Sequence, residues 1–473
     1  MGSKVRFYCD IMGVHPEVTG SCNLVVVKLP NGETIKFVVD CGLFQEKGYE
    51  ELNRTLPFSP ENIDFCLVTH NHVDHTGRLP LMVKNGYRGK IYATNPTCHL
   101  IPLALADSFK VLKDVSKRKN QKMLYTETDV LKTNILLEPC EYYQPVKVND
   151  NIKVTFLKNG HLIGAALILV QISYPENEDI NILFTGDYNH KNIFFDVPDI
   201  PEWIKKLPIT VIVESTYGYM ESTFMTKVFK QNVLEVVRNG GSVIVPVFSL
   251  GRSQEMLYEI KSMQDSGELD LSIPIYFDGS LAINYTRLYL KKDLLSIKPE
   301  MKDFLPENLT FVNKLNRPQV LADTDAKIVL TTSGMGTYGP AQRYIPEYLP
   351  RENAMIHFTG YTAEGTLGQR VKDTAYGDLV SVGGLIIKKQ ARVEYTTEYS
   401  AHAKADELIA LLSKFENLKL VLVNHGQAYV KDEFAKRIVK ELGPKNVGIL
   451  GREYFYRVDP YGLARPPLSS KFN

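Results

Sequence analysis

The chain has 473 residues, 44% of them hydrophobic and 23% charged, with a formal net charge of +1. Such a composition is that of a globular protein, and it excludes wholesale attraction to a polyanion, so any nucleic acid would have to be gripped by a local patch. The length exceeds what a single core usually serves and predicts two domains.

No segment approaches the roughly 20 apolar residues of a membrane span, and the N-terminal "MGSKVRFYCDIMGV" has no apolar signal core. The six cysteines, Cys9, Cys22, Cys41, Cys66, Cys98 and Cys140, form no C-x-x-C pair. They predict reduced, mostly buried thiols in a cytoplasmic protein without a membrane anchor.

Through the first two hundred residues, short β-branched runs recur: "NLVVVKL", "TIKFVVDCG", "DFCLVTH", "KIYATN", "IKVTFLKNGH", "ALILVQISY" and "NILFTGD". Each is closed by Gly, Asn, Asp or Pro, which is strand punctuation, and a helix is predicted over 103–122. From about Gly241 the rhythm becomes strand, loop, helix, as in "SVIVPVF" followed by "SLGRSQEMLYEIKSM", which predicts a parallel-sheet domain. Near Glu394 the chain leaves that rhythm, and "KLVLVNHG" resembles the earlier strands. The basic run "KVLKDVSKRKNQK", residues 110–122, reads first as a solvated helix face.

One stretch carries chemistry openly. "LVTHNHVDHTGRLP" places His70, His72, Asp74 and His75 directly after a strand. Alternate side chains of an extended chain share a face, so His70 and His72 can converge on one metal ion while Asp74 and His75, in the turn that follows, reach a neighbouring one. Further donors stand at other strand ends: His161 in "KNGHLIG", Asp187 in "LFTGDYNH" and His425 in "LVLVNHG". Asp187, with two carboxylate oxygens, is the natural bridge. His15 and His190 read as ordinary structural histidines. Asp40 in "KFVVDCG", at a strand end next to Gly42, fits a hydrogen-bonding role that supports the metal loop.

"THNHVDHTGRLP" resembles the H-x-H-x-D-H motif of the metallo-β-lactamase superfamily, with Asp40, His161 and Asp187 following in that family's order. "VIVESTYG", "FSLGRSQEML", "GYTAEGTLGQR", "YSAHA" and "LVNHG" are similar to the β-CASP branch of nucleases, and the likeness runs over nearly the whole chain. It implies an α/β fold: a metallo-β-lactamase αββα sandwich, residues 1–212 and 393–473, interrupted by a β-CASP domain at 213–392. It also implies two zinc ions per chain, one held by His70, His72, His161 and Asp187, the other by Asp74, His75, Asp187 and His425.

By the same resemblance Glu214, His402 and His425 are the residues of motifs A, B and C, and a histidine in motif C favours RNA over DNA. The implied activity is hydrolysis of single-stranded RNA, endonucleolytic, leaving 5′-phosphate and 3′-hydroxyl ends. His402 would be the general acid, oriented by Glu214, with Asp74 in the catalytic group. A 5′-to-3′ exoribonuclease and a small-molecule metallohydrolase stay open as alternatives. Ser249 and Arg252, Ser333 and Gly334, and Gly365 and Thr366 lie in Gly-rich loops that suit either phosphate contact or simple turns. The resemblance favours RNA contacts there, with Ser400 added. The chain ends soon after "GREYFYRVDPYG", without room for the extra C-terminal domain of ribonuclease J, which leaves a monomer or a homodimer as the expected state.

Overall fold

A computed structural model describes residues 7–469 except 16, 47, 223–227, 292–296, 361, 363–364, 397, 444–445, 453 and 462–464. The chain divides into two compact units. The first comprises Met1–Asn192, Asp196–Ser222 and His402–Asn473; the second comprises Ile193–Phe195 and Thr223–Ala401 and so interrupts it.

The first unit is built on two mixed sheets. One has eight strands, with Tyr8–Gly13, Asn23–Lys28, Thr34–Val39, Phe65–Leu67, Lys90–Thr94 and Leu137–Cys140 neighbouring in that order and Tyr454–Val458 pairing on the outer side of Tyr8–Gly13. The other has seven, its middle formed by Leu418–Val423, Ile209–Val213, Ile180–Phe184, Ala166–Ile172 and Ile152–Lys158. Strand alternation sorts their side chains into layers. Val25, Val27, Phe37, Val39, Phe65 and Leu67 face Val154, Phe156, Ile168, Val170, Ile182, Phe184 and Leu422 in one buried core between the sheets.

The alternate residues need helices to cover them, because a strand buried on both faces reads as a continuous apolar run. Val26, Val38 and Cys66 pack with Met82, Ile101 and Leu105 from the helices Leu79–Lys84 and Asn95–Lys119. Leu183, Val211 and Val421 pack with Leu408, Leu412, Phe434 and Ile438 from Ala405–Ser413 and Ala428–Leu442. Helix, sheet, sheet, helix is the αββα sandwich expected.

The second unit holds a six-stranded sheet, ordered Leu309–Val312, Ile275–Asp278, Lys327–Thr331, Ser242–Pro246, Ala354–Phe358 and Arg392–Tyr395. Every pairing in it is parallel. A small hairpin, Leu379–Val382 with Leu385–Lys388, lies outside that sheet.

The first long helix differs from expectation at its start: it spans Asn95–Lys119, with Thr94 accepting a hydrogen bond from the Thr97 N–H as N-cap, and it runs through Pro102. The basic run lies along its C-terminal half, where Lys117, Arg118 and Lys119 face the negative end of the helix dipole. No described helix is long and apolar enough to cross a membrane.

Candidate metal centre

Three neighbouring strands of the seven-stranded sheet, Ile180–Phe184, Ile209–Val213 and Leu418–Val423, run parallel. They therefore end at one edge, and just past their ends come Asp187, Glu214 and His425. In the other sheet Phe65–Leu67 is parallel to Thr34–Val39 and leads through Thr69 and His70 into the short helix Val73–Thr76, which carries Asp74 and His75. His161 stands in the turn between the antiparallel strands Ile152–Lys158 and Ala166–Ile172.

Unusual backbone makes the loops close. Asp40 (φ 63°), Gly186 (φ 53°) and His425 (φ 45°) are left-handed. A Cβ on Gly42 would lie 1.5 Å from the Asp74 carbonyl oxygen, so only glycine lets residues 40–43 clasp the metal-loop helix. The clasp is hydrogen-bonded at 2.8 Å from Cys41 N–H to the His75 carbonyl and from Ser21 N–H to that of Asp74.

The donors gather in two groups that share Asp187: His70, His72 and His161 in one, Asp74, His75 and His425 in the other, each with its ligand atoms within 4.8 Å of one another. Asp187 divides its oxygens between them. Oδ2 lies 3.5 Å from His70 Nε2 and 3.6 Å from His161 Nε2. Oδ1 lies 3.2 Å from His75 Nε2 and 3.3 Å from His425 Nε2. His161 Nε2 approaches His72 Nδ1 at 3.1 Å, and the Nε2 atoms of His75 and His425 approach at 3.2 Å. Asp74 Oδ2 stands farther out, 3.8 Å from His75 and 3.9 Å from His425.

These spacings fit metal ions. Tetrahedral ligands about 2.0–2.1 Å from zinc stand about 3.3 Å from one another. His70 Nε2 and Asp187 Oδ1 are buried without a hydrogen bond, the condition of atoms kept for a cation. Burial, aided by the neighbouring His75 and only partly offset by Asp187, holds His70 well below the usual histidine range, so its ring is neutral and offers a lone pair. Burial opposes ionisation of Asp187, yet the neighbouring His425 and His75 hold its carboxyl well below the usual carboxylate range.

His402 and Glu214 form a third group with Asp187. His402 Nδ1 is 2.9 Å from Glu214 Oε2, which leaves its Nε2 turned to the centre, 3.9 Å from Asp187 Oδ2. Glu214 is itself fixed, because the Tyr188 N–H donates to its Oε1. Burial opposes protonation of His402, but the Glu214 and Asp187 carboxylates outweigh it and raise its pKa to about 9.

Residues 29–195 match the metallo-β-lactamase superfamily domain, residues 253–371 the Beta-Casp domain, and residues 386–450 the Zn-dependent metallo-hydrolase RNA specificity domain. The chain belongs to the β-CASP branch of the metallo-β-lactamase superfamily. It is 29% identical to the RNase J-like protein of Methanocaldococcus jannaschii, over 89% of this chain and 95% of that one. It is 30% identical to the transcription termination factor FttA of Cenarchaeum symbiosum, over 85% of this chain and 64% of the relative. With the endoribonuclease ysh1 of Schizosaccharomyces pombe the identity is 29%, over 88% of this chain and 52% of the relative. The β-CASP chain thus spans nearly all of the first relative but only about two thirds and about half of the other two.

The seven candidate contact residues of the β-CASP region all fall in the second unit, five of them in loops that follow the C-terminal ends of the adjacent strands Lys327–Thr331, Ser242–Pro246 and Ala354–Phe358 and a sixth, Arg252, at the start of the helix after one of those loops. Several of the polar groups there are engaged locally. Ser249 precedes the helix Arg252–Asp265, at whose start Gly251 N–H donates to Gln254 Oε1 and Ser253 N–H to the Phe248 carbonyl. Arg252 is buried, 2.9 Å from Glu255 Oε2 and over the Tyr399 ring. Ser333 Oγ accepts from Tyr338 N–H, Gly334 packs on Phe248, and Thr366 caps the helix Leu367–Asp373. Gly365 is exposed with open space around it. Ser400 sits two residues before His402; Tyr361, Ala363 and Glu364 of the third loop lie outside the described residues.

Asp40, expected from the sequence to support the metal loop, acts together with residues that sequence reasoning missed, Thr69, Thr216 and Asn159. Asp40 accepts from the Thr69 N–H and Thr69 hydroxyl and pairs with His75 Nδ1, each at 2.8 Å, while the same Thr69 hydroxyl lies 3.0 Å from His70 Nδ1. One carboxylate thereby steadies a histidine of each group. Thr216 Oγ1 lies 3.1 Å from His425 Nδ1. Asn159 donates to the Asp187 carbonyl at 2.6 Å and accepts from the His161 N–H at 3.0 Å, tying their loops together. The available signal for Thr69, Thr216 and Asn159 was position: each stands within two residues of a candidate ligand or motif residue. His15 is fully buried, accepts from the Cys22 N–H, and lies with its ring 6.1 Å from that of His425.

Proposed function

We propose that the chain is a zinc-dependent ribonuclease that cuts single-stranded RNA internally and leaves 5′-phosphate and 3′-hydroxyl ends. The reading rests above all on Asp187, whose two oxygens each face a separate histidine group while a carboxylate-held His402 looks onto the same atoms. Two zinc ions, one held by His70, His72, His161 and Asp187 and one by Asp74, His75, Asp187 and His425, would supply Lewis acidity toward the phosphate and a water acidic enough to attack at neutral pH.

The chain's own residues do the rest. Asp187 holds the two groups in register, and Asp40 with Thr69 and Thr216 locks the histidine rings through their other nitrogens. Asp74, the less enclosed of the two acidic ligands, can accept the proton of the attacking water. His402, with Nδ1 committed to Glu214, delivers a proton from Nε2 to the departing 3′ oxygen. The attack on phosphorus with loss of that oxygen leaves the phosphate on the 5′ side of the downstream fragment. Six free cysteines, five of them buried, agree with a reducing cytoplasmic setting.

The test is cleavage of a single-stranded RNA labelled at its 5′ end by the zinc-loaded protein and by Asp187→Ala, with product ends mapped. Internal cuts bearing 5′-phosphates, absent with the variant, support the reading; release of labelled mononucleotides alone would make the enzyme a 5′ exonuclease, and no cleavage would exclude RNA as substrate.

A further inference from the structure

On the chain segments that lead away from Glu214 and His425 the first unit carries two exposed aromatic rings that neither metal binding nor proton transfer uses. Tyr219 is 52% exposed and Tyr429 59%, and their ring centroids stand 6.4 Å apart at 46°. Both belong to segments that build the centre. Tyr219 lies five residues past Glu214 and two past Tyr217, whose ring stands edge-on to His402 at 5.8 Å. Tyr429 is in the first turn of the helix Ala428–Leu442, four residues after His425 and therefore no more than about 14 Å from it along the chain.

The mounting of Tyr219 is firm. Met220 N–H donates to the Tyr217 carbonyl at 3.0 Å, Ala405 N–H to that of Met220 at 2.9 Å, and Ser222 N–H to Asp406 Oδ1 at 2.9 Å. Gly218 packs directly on Phe434 of the following helix. A pair of large rings left in water on segments that carry Glu214 and His425 is the form of a recognition surface rather than of a core.

We propose that Tyr219 and Tyr429 form a stacking platform for the bases of single-stranded RNA next to the scissile phosphate. This rests on the ribonuclease reading and deepens it. The occupant follows from continuity with His402: a chain whose phosphodiester lies at the centre carries a base at every step, and each base presents a π-face that an exposed tyrosine can take without regard to sequence. Grip on RNA by such stacking needs no net positive charge, which accords with a chain of formal charge +1.

The test uses the zinc-loaded full chain and a short single-stranded RNA in which each nucleotide in turn is made abasic. For the wild type, removing a base within a few nucleotides of the cut lowers kcat/KM about tenfold, carried by KM. Tyr219→Ala and Tyr429→Ala show a like loss on intact RNA and little further loss on the abasic RNA, whereas Tyr219→Phe and Tyr429→Phe behave as wild type; zinc content checks that each variant is folded. The platform is overturned if no abasic position near the cut affects the wild type, or if abasic and Ala losses simply add. A zinc-loaded wild type that cleaves no RNA at all removes the ribonuclease reading and the platform together.

Discussion

His402 is held through Nδ1 by a buried carboxylate and turns Nε2 to the centre without belonging to either histidine group. Removing it should cost chemistry and not metal. His402→Ala is expected to lower kcat about 10²- to 10⁴-fold with zinc content unchanged, read by steady-state kinetics beside elemental analysis. Asp40 acts at one remove, through His75 directly and through the Thr69 hydroxyl to His70. Asp40→Asn should therefore weaken zinc binding about 10- to 100-fold, measured by competition with a chelator, with loss of activity following metal loss. The candidate ligands were legible because each is a His or Asp in the turn, loop or short helix that follows a strand. Thr69, Thr216 and Asn159 were not, since a threonine or asparagine in a turn has many bland uses and its partner is chosen only when loops approach in space.

Loops and strands set how precisely those side chains can be placed. The clasp of residues 40–43 on Val73–Thr76 depends on the missing Cβ of Gly42. Gly42→Ala should destabilise the first unit by at least about 3 kcal/mol and lower zinc content, seen in urea unfolding, because the added methyl meets backbone that cannot move aside. In the second unit the strand Ala354–Phe358 buries His357 completely beside Phe229 and Asn232 of the helix Val228–Arg238. Burial lowers its pKa to about 4. The unfolded chain takes up a proton near pH 6.5 while the folded one does not, so its contribution is full above that pH and is lost as pH falls toward 4. Between pH 7 and pH 5 that loss is about 2 kcal/mol, and His357→Gln should flatten the pH dependence of unfolding by that amount. The helix Asn95–Lys119 shows where sequence reading falls short: Pro102 favours a helix start near 103, but the Thr94 cap and the packing of Leu100 and Ile101 carry the helix back across it.

At the scale of the molecule, the αββα layering could be read from apolar runs punctuated by polar strand ends, because strands buried on both faces have that signature. Two strands of the seven-stranded sheet are far apart in sequence, Ile209–Val213 and Leu418–Val423, yet they pair in parallel and bring Glu214 beside His425. Nothing in local pattern fixes that register; the resemblance carried by the motifs implied only that the returning segment belongs to the same domain. The same is true of which oxygen of Asp187 faces which histidines, a matter of tertiary geometry alone.

In the proposed centre Asp187 joins two metal ions. Anomalous diffraction at the zinc absorption edge from crystals grown with zinc tests this most directly. Two peaks are predicted, one among His70, His72 and His161 on the Oδ2 side of Asp187 and one among Asp74, His75 and His425 on the Oδ1 side. A single peak, or none at these residues, would contradict it.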